Sequence, residues 1–449
     1  MKHIKTIFSS LLIFTLLFLN LQNANLLQAQ TANTKIAAGL MQAHTTENST
    51  TVWLMTQYAQ KVSLDLYDLN SSEALQKKEL IINRNDWVDG YFPCLFTFEN
   101  LEANTTYVIN IKLNDVFVEK QKIKTFHQNN YENFSFLTGS CTKIADNFFK
   151  YWSQPGINNL IFKKMQKTNA DFNVWIGDNS YLRNDDFDNP NNMMRRHIHT
   201  RLHKPVNKLI KTRPNYATWD DHDYGPNNAD KNYAQKDVTL DLFQQFWGNA
   251  FYGTKDTKGV FSNFTYQDAE IFLLDNRYHK SALSDKNGST LGIEQLEWFK
   301  KSLLESKATF KIVMSGVQFL SEHGGGEGFK QFPKERQEIL DFIAENDIKG
   351  IIWVSGDRHV SELYCLKRPD TYDLYEVTTS PISSETLNFP FKISSPKNPL
   401  AVKKTKYWYP NFAHFSIRGE KGDRLCEVKI INKWGKKVWS KMWHENDLK

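Results

Sequence analysis

Between Phe134 and Ser355 the chain alternates two kinds of apolar segment, and that alternation restricts the fold more than any other feature. The first kind is short. Phe134–Thr138, Phe172–Ile176, Tyr216–Trp219, Ile271–Leu274, Phe310–Ser315 and Gly350–Ser355 are compact apolar runs, too short for stable helices and each ended by small or polar residues. The second kind is longer and amphipathic. Gly156–Thr168, Lys236–Trp247, Ile293–Ser306 and Pro333–Glu345 read as helices, the third with apolar spacing at Ile293, Leu296, Phe299, Leu303 and Leu304. Strands that alternate with helices form a layered α/β domain.

In open α/β sheets, ligands gather beyond the carboxyl ends of the strands. The first run is followed by Gly139-Ser140-Cys141 and the second by Gly177-Asp178-Asn179-Ser180-Tyr181. The third leads into Asp220-Asp221-His222-Asp223 and then Asn227-Asn228, the fourth into Asp275-Asn276-Arg277, and the last into Gly356-Asp357-Arg358-His359. Successive strands therefore end in metal-capable side chains. Asp and Asn oxygens suit a hard divalent ion such as calcium, whereas a thiolate, a phenolate and an imidazole suit a transition metal. One site holding both sets implies two unlike metals sharing a bridging carboxylate. Such a pair clamps a phosphoryl group and generates hydroxide at neutral pH.

The flanks are different. Lys2 and Lys5 precede a nearly unbroken apolar stretch from Ile7 to Leu19, and Ala29–Gln30 gives a small-residue exit, so residues 1–30 read as a secretory signal peptide. The expected location is periplasmic or extracellular, with no membrane span once the leader is removed. Residues 31–128 carry short strand-like runs with turn signals, as in a small β-sandwich of fibronectin type III kind. Residues 129–449 hold the chemistry, and Phe415 to Trp439 returns to strand-like alternation. The net charge of +6 over 449 residues gives no nucleic-acid-binding signature, and a monomer is expected. Cys94, Cys365 and Cys426 show no framework spacing, and the sequence leaves their pairing open.

The blocks Gly139-Ser140-Cys141, Gly177-Asp178…Tyr181, Trp219-Asp220-Asp221-His222…Asn227-Asn228, Leu274-Asp275-Asn276-Arg277, Ser315-Gly316-Val317-Gln318, Gly356-Asp357-Arg358-His359 and Thr378-Thr379-Ser380-Pro381 run in order along the chain. Together they resemble the alkaline phosphatase D (PhoD-like) family of metallophosphoesterases. The resemblance implies a four-layer αββα metallophosphoesterase domain preceded by the small β-sandwich domain. It also implies a mixed Fe3+ and Ca2+ centre acting on a phosphate ester substrate, a monoester or a diester. Carried over, Cys141, Tyr181 and His359 would hold iron, Asp178 would bridge, and Asp357 with Asn227 or Asn228 would hold calcium. Asp221 and His222 match a family block beside the site, with His222 as candidate proton donor or orienter. The family usually has Glu after that His, where this chain has Asp223. Arg277 and Arg358 are candidate phosphate contacts, since a guanidinium binds phosphate bidentately. Two rival functions remain open: a phospholipase-type phosphodiesterase, and a secreted binding protein with a degenerate site.

Two further features read as structural. The run Arg195-Arg196-His197-Ile198-His199…Arg201-Leu202-His203 is expected to be a solvated helix face rather than a metal cluster. Gly324-Gly325-Gly326 with Gly328 lacks the following Lys-Ser/Thr of a P-loop and is expected to be a loop beside the site.

Overall fold

Each short apolar run becomes a strand because it is buried on both faces. Phe172–Ile176, Ala269–Leu273, Phe310–Ser315 and Ile351–Ser355 are buried at every position, as expected of inner strands covered on two sides. The structure is a computed structural model that describes residues 34–145, 159–322, 327–385 and 398–449. The expected leader and the run Gly324-Gly325-Gly326 lie outside the described residues. Among the described residues, no helix is long and apolar enough to cross a membrane.

The chain divides into two compact units. The first comprises residues up to Ala38, Leu54–Cys94 and Thr106–Ile123; the second comprises Gly39–Trp53, Leu95–Thr105 and Lys124–Lys449. In the first unit the order Gln76–Ile81, Lys61–Asp68, Thr106–Leu113, Val116–Lys124 makes a four-stranded sheet, its first three strands antiparallel. Along Thr106–Leu113 burial alternates residue by residue, with Tyr107, Ile109, Ile111 and Leu113 inward. Lys35–Thr45, Thr50–Gln57 and Tyr91–Phe98 form a separate three-stranded sheet.

The second unit contains two six-stranded sheets. One runs Asn215–Thr218, Phe172–Ile176, Phe134–Gly139, Asn411–Arg418, Leu425–Asn432, Lys437–His444. Its first three strands are parallel and the last three form an antiparallel meander. The other runs Ser262–Tyr266, Ala269–Leu273, Phe310–Ser315, Ile351–Ser355, Leu374–Thr378, Glu362–Leu366, with a parallel centre and an antiparallel strand at each edge. The period-two alternation of side chains assigns the layers. Phe264, opposite Ile271, stacks on Tyr216 (3.7 Å) and meets Phe172 (5.6 Å), so one face packs sheet on sheet. Phe272, next along the strand, instead meets Phe299 of the helix Ile293–Glu305 at 5.8 Å. The result is the expected α/β architecture, two mixed sheets face to face with helices against them.

Local signals set the helix boundaries. Asn189 caps Pro190–Leu202 by accepting from the backbone of Asn191 and Asn192, and proline fills the first turn. This helix corrects one expectation. His197 and Arg201 are buried rather than solvated, and the Arg201 guanidinium lies 4.0 Å from the Trp247 ring and donates to the Phe246 carbonyl. All four cysteines are free.

Candidate metal centre

The turns beyond the strands are strained at the positions that carry donors. Cys141 (φ 60°), Asp178 (55°), Asn228 (62°), Asp357 (61°) and His359 (49°) all adopt left-handed backbone. Such conformations cost about 1–3 kcal/mol each outside glycine and persist only where the surroundings impose them. Here the surroundings are explicit. The Cys141 and Thr142 N–H groups donate to the carbonyls of Gly177 and Asp178, continuing the ladder of Phe134–Gly139 and Phe172–Ile176 past their ends. The Cys141 carbonyl in turn accepts from the N–H groups of Ser383 and Ser384. Gly177 has φ 93°, and a Cβ there would stand 2.6 Å from the Asp220 Cβ, so only glycine lets the two loops approach. Asp223, the departure from the family block, anchors the same loop: its carboxylate accepts from the N–H groups of Asn179 and Ser180.

These turns bring donors from distant segments together. The ligand atoms of Cys141, Asp178 and His359 lie within 4.8 Å of one another, as do those of Asp178, Asp221 and His222. Asp178 belongs to both groups. Its Oδ2 lies 3.3 Å from the Cys141 Sγ and accepts from the Tyr181 hydroxyl at 3.1 Å. The Ser380 hydroxyl donates to the Cys141 Sγ at 3.1 Å, and Ser384 Oγ lies 2.8 Å from His359 Nε2. The His222 ring stacks on Tyr181 with centroids 4.4 Å apart. The first group contains no cationic side chain; Lys143 stands 5.5 Å from the Tyr181 ring and is held by Glu385. A thiol, a phenol, an imidazole and a carboxylate packed together without a cation form a donor set that fits a multivalent ion.

A third group, Asp220, Asp221 and Glu327, also lies within 4.8 Å, but two of its carboxylates are already paired with cations. The Arg277 guanidinium, with no exposed surface, donates to Asp220 and Glu327, and Lys280 donates to Glu327 at 2.9 Å. Arg277 was expected as a phosphate contact; the structure turns its guanidinium inward to these carboxylates. Sequence reasoning did not single out Asp220 as a centre in its own right, and it missed Glu327. Glu327 follows a glycine run rather than a strand, so strand-end logic has no hold on it. Asp221, expected beside the site, is a member of two donor groups.

The electrostatics follow from burial and crowding. Burial, then Asp221 and Asp220, push the Asp178 carboxyl well above its ordinary value. Burial and then Asp178 do the same to the Cys141 thiol and the Tyr181 phenol. Burial holds His359 down at about 4 and lowers His222, against the opposing pull of Asp221 on the latter. At Asp221 burial works against ionisation, but Arg277, His222 and the Asn228 N–H outweigh it and keep the carboxyl below the usual range.

The remaining expected residues are nearby but less enclosed. The Asp357 backbone carbonyl lies 3.6 Å from the Cys141 Sγ, while its carboxylate, about a quarter exposed, stands 3.9 Å from Arg358 Nη1. Arg358 is similarly exposed. Asn227 and Asn228 are exposed; the Asn228 N–H donates to Asp221 Oδ2 at 2.9 Å, and its side-chain oxygen accepts from Asn227.

Comparison with known proteins bears on the family and the fold. Alkaline phosphatase D from Bacillus subtilis (strain 168) is 19% identical over 316 residues, 59% of this chain. The chain spans about half that relative's length, 52%. Among solved structures, one described as the structure of PhoD matches with a TM-score of 0.74 at 15% identity, covering 92% of this chain and 91% of that one. The purple acid phosphatase PPD1 of yellow lupin (Lupinus luteus) seeds matches with a TM-score of 0.62 at 14% identity, covering 90% and 73%. These two likenesses establish a shared fold. The family model of the PhoD-like phosphatases matches residues 136–419, and the chain belongs to that family.

Proposed function

We propose that the protein is an exported, metal-dependent phosphoester hydrolase acting on phosphate mono- or diesters. The observation that carries this reading is Asp178, whose carboxylate is shared by two donor groups of different character. Cys141, Tyr181 and His359 are the residues that would hold iron. Asp221, with Asp357 and the side-chain oxygen of Asn227 or Asn228, would hold calcium. When bound, such metals supply Lewis acidity and an acidified water.

The chain's own residues do the rest. Ser380 and Ser384 orient Cys141 and His359. Tyr181 fixes the His222 ring by stacking, which leaves that imidazole, kept neutral mainly by burial, to pass a proton to or from the ester. Arg358, partly exposed and 3.9 Å from Asp357, is a cation that would meet a phosphate oxygen. Arg277 keeps the carboxylates of Asp220 and Glu327 in place from below. Export rests on the basic and apolar pattern of residues 1–30.

The test is hydrolysis of chromogenic phosphate mono- and diesters and of a phospholipid by the purified protein, before and after chelation. Turnover of either chromogenic ester that chelation abolishes and added metal restores is expected. Turnover confined to the phospholipid supports the phospholipase-type alternative, and metal-loaded protein that turns nothing over supports the binding-protein alternative.

A further inference from the structure

The modest net charge conceals a segregation. Residues 159–170 and 189–219 contain no aspartate or glutamate. The helices Asn159–Lys167 and Lys204–Ile210, drawn from those stretches, lie side by side, with Gln166 donating to the Pro205 carbonyl at 3.1 Å. Between them is a concavity of about 450 Å3 lined by Leu160, Lys163, Lys164, Lys167, Lys204 and Lys208 among others. Among the described residues, no carboxylate lines it. Among the described residues, none of these five lysines forms an ion pair.

A second element meets this face. A Cβ on Gly435 would stand 3.2 Å from the Lys164 side chain, so the turn between Leu425–Asn432 and Lys437–His444 packs against the first helix. That turn carries Lys433, Trp434 and Lys436, and it too lacks acidic residues. Trp434 is 53% exposed, with the Lys433 ammonium 4.8 Å from its ring, and Leu160 is 40% exposed.

Ammonium groups gathered without counter-charges repel one another unless an anionic partner neutralises them. An exposed tryptophan and leucine among lysines form the amphipathic arrangement that sits at a lipid headgroup boundary, where the apolar groups enter and the lysines snorkel. Among the described residues, the cavity is lined by lysine and no arginine. Diffuse point charges of that kind suit an anionic lipid surface, whereas bidentate phosphate readout favours arginine. We propose that this face docks the protein on an anionic phospholipid membrane, with Trp434 and Leu160 at the headgroup level. This surface is independent of the metal centre.

Vesicle co-sedimentation tests it. Phosphatidylcholine vesicles with and without phosphatidylglycerol are compared for the unaltered protein, a charge-reversed variant (K163E, K204E, K208E) and W434S. All carry the same N terminus, so differences between them report this face alone. Thermal melting confirms that each variant is folded. Binding is expected only with phosphatidylglycerol, lost near about 1 M salt where screening acts within ~3 Å. Charge reversal is expected to weaken it by more than about tenfold, and W434S to weaken it measurably. Equal binding to neutral vesicles, or no change on charge reversal, overturns the proposal. Salt-sensitive binding to heparin or DNA that W434S leaves intact, without vesicle binding, also overturns it and identifies a soluble polyanion instead.

Discussion

Single residues in the centre are held by charge balance more than by packing. Arg277 is the clearest case, a fully buried guanidinium that pairs with Asp220 and Glu327, the latter shared with Lys280. Removing one partner of such a set leaves uncompensated buried charge, which costs about 3–5 kcal/mol. R277A should therefore lower unfolding stability by that amount in urea titration, and an unchanged midpoint would contradict the buried-pair reading. Donors at strand ends were legible in the sequence because a strand of fixed direction delivers its next side chain to a known edge. Cys141, Asp178 and His359 were found that way and do lie together. The inward turn of Arg277 was not legible. Its partner Glu327 comes from a segment with no periodicity, and only three-dimensional proximity reveals the pair.

Secondary elements position the centre through the second sheet. Trp353 lies on the inner strand Ile351–Ser355, stacked on Phe319 at 3.9 Å and edge-on to Phe299 and Phe329. That strand leads directly into Asp357 and His359. W353A should cost about 3–5 kcal/mol as a cavity. It should also lower metal retention, since the turn beyond the strand loses its support. Calorimetry with metal analysis reads both, and full metal content in a destabilised variant would separate the strand from the centre. The strands themselves were legible, because continuous short apolar runs have few other uses. Helical phase was less so. Ile293 and Leu304 were expected on the apolar side of Ile293–Glu305, yet both are exposed, while Leu296, Phe299 and Leu303 face the core. One face of a helix holds only part of any apolar set, and which part depends on what packs there. The burial of His197 and Arg201 was hidden for the same reason: Trp247, which receives Arg201, lies far along the chain.

At the scale of the molecule, sheet order and the interleaving of the two units were not visible in the sequence, because both depend on pairings between segments far apart. The pH response also belongs to this scale. Burial holds His197 at about 3 and His44, His203 and His414 at about 4. Below about 6.5 the unfolded chain takes up protons that the folded protein refuses. The histidine contribution to stability is therefore level above that pH and falls as pH drops from about 6.5 toward 4, while buried carboxyls such as Asp223 and Glu335, pushed up to about 7, contribute with the opposite sign. For His197, which is almost wholly buried, the loss is about 1.4 kcal/mol per pH unit. The urea midpoint of the unaltered protein relative to that of H197F should drop between pH 7 and pH 5, because the variant lacks the His197 contribution. A difference between the two proteins that is independent of pH over that interval would contradict the assignment.

The proposed hydrolase depends on one carboxylate, Asp178, joining two unlike metal sites. Metal content per chain, measured on the purified protein and on D178N and C141S, tests it most directly. Iron and calcium are expected together in the unaltered protein, with loss of both in D178N, selective loss of iron in C141S, and hydrolysis lost in both variants. Full occupancy of both metals in D178N, or undiminished hydrolysis by metal-free protein, would contradict it.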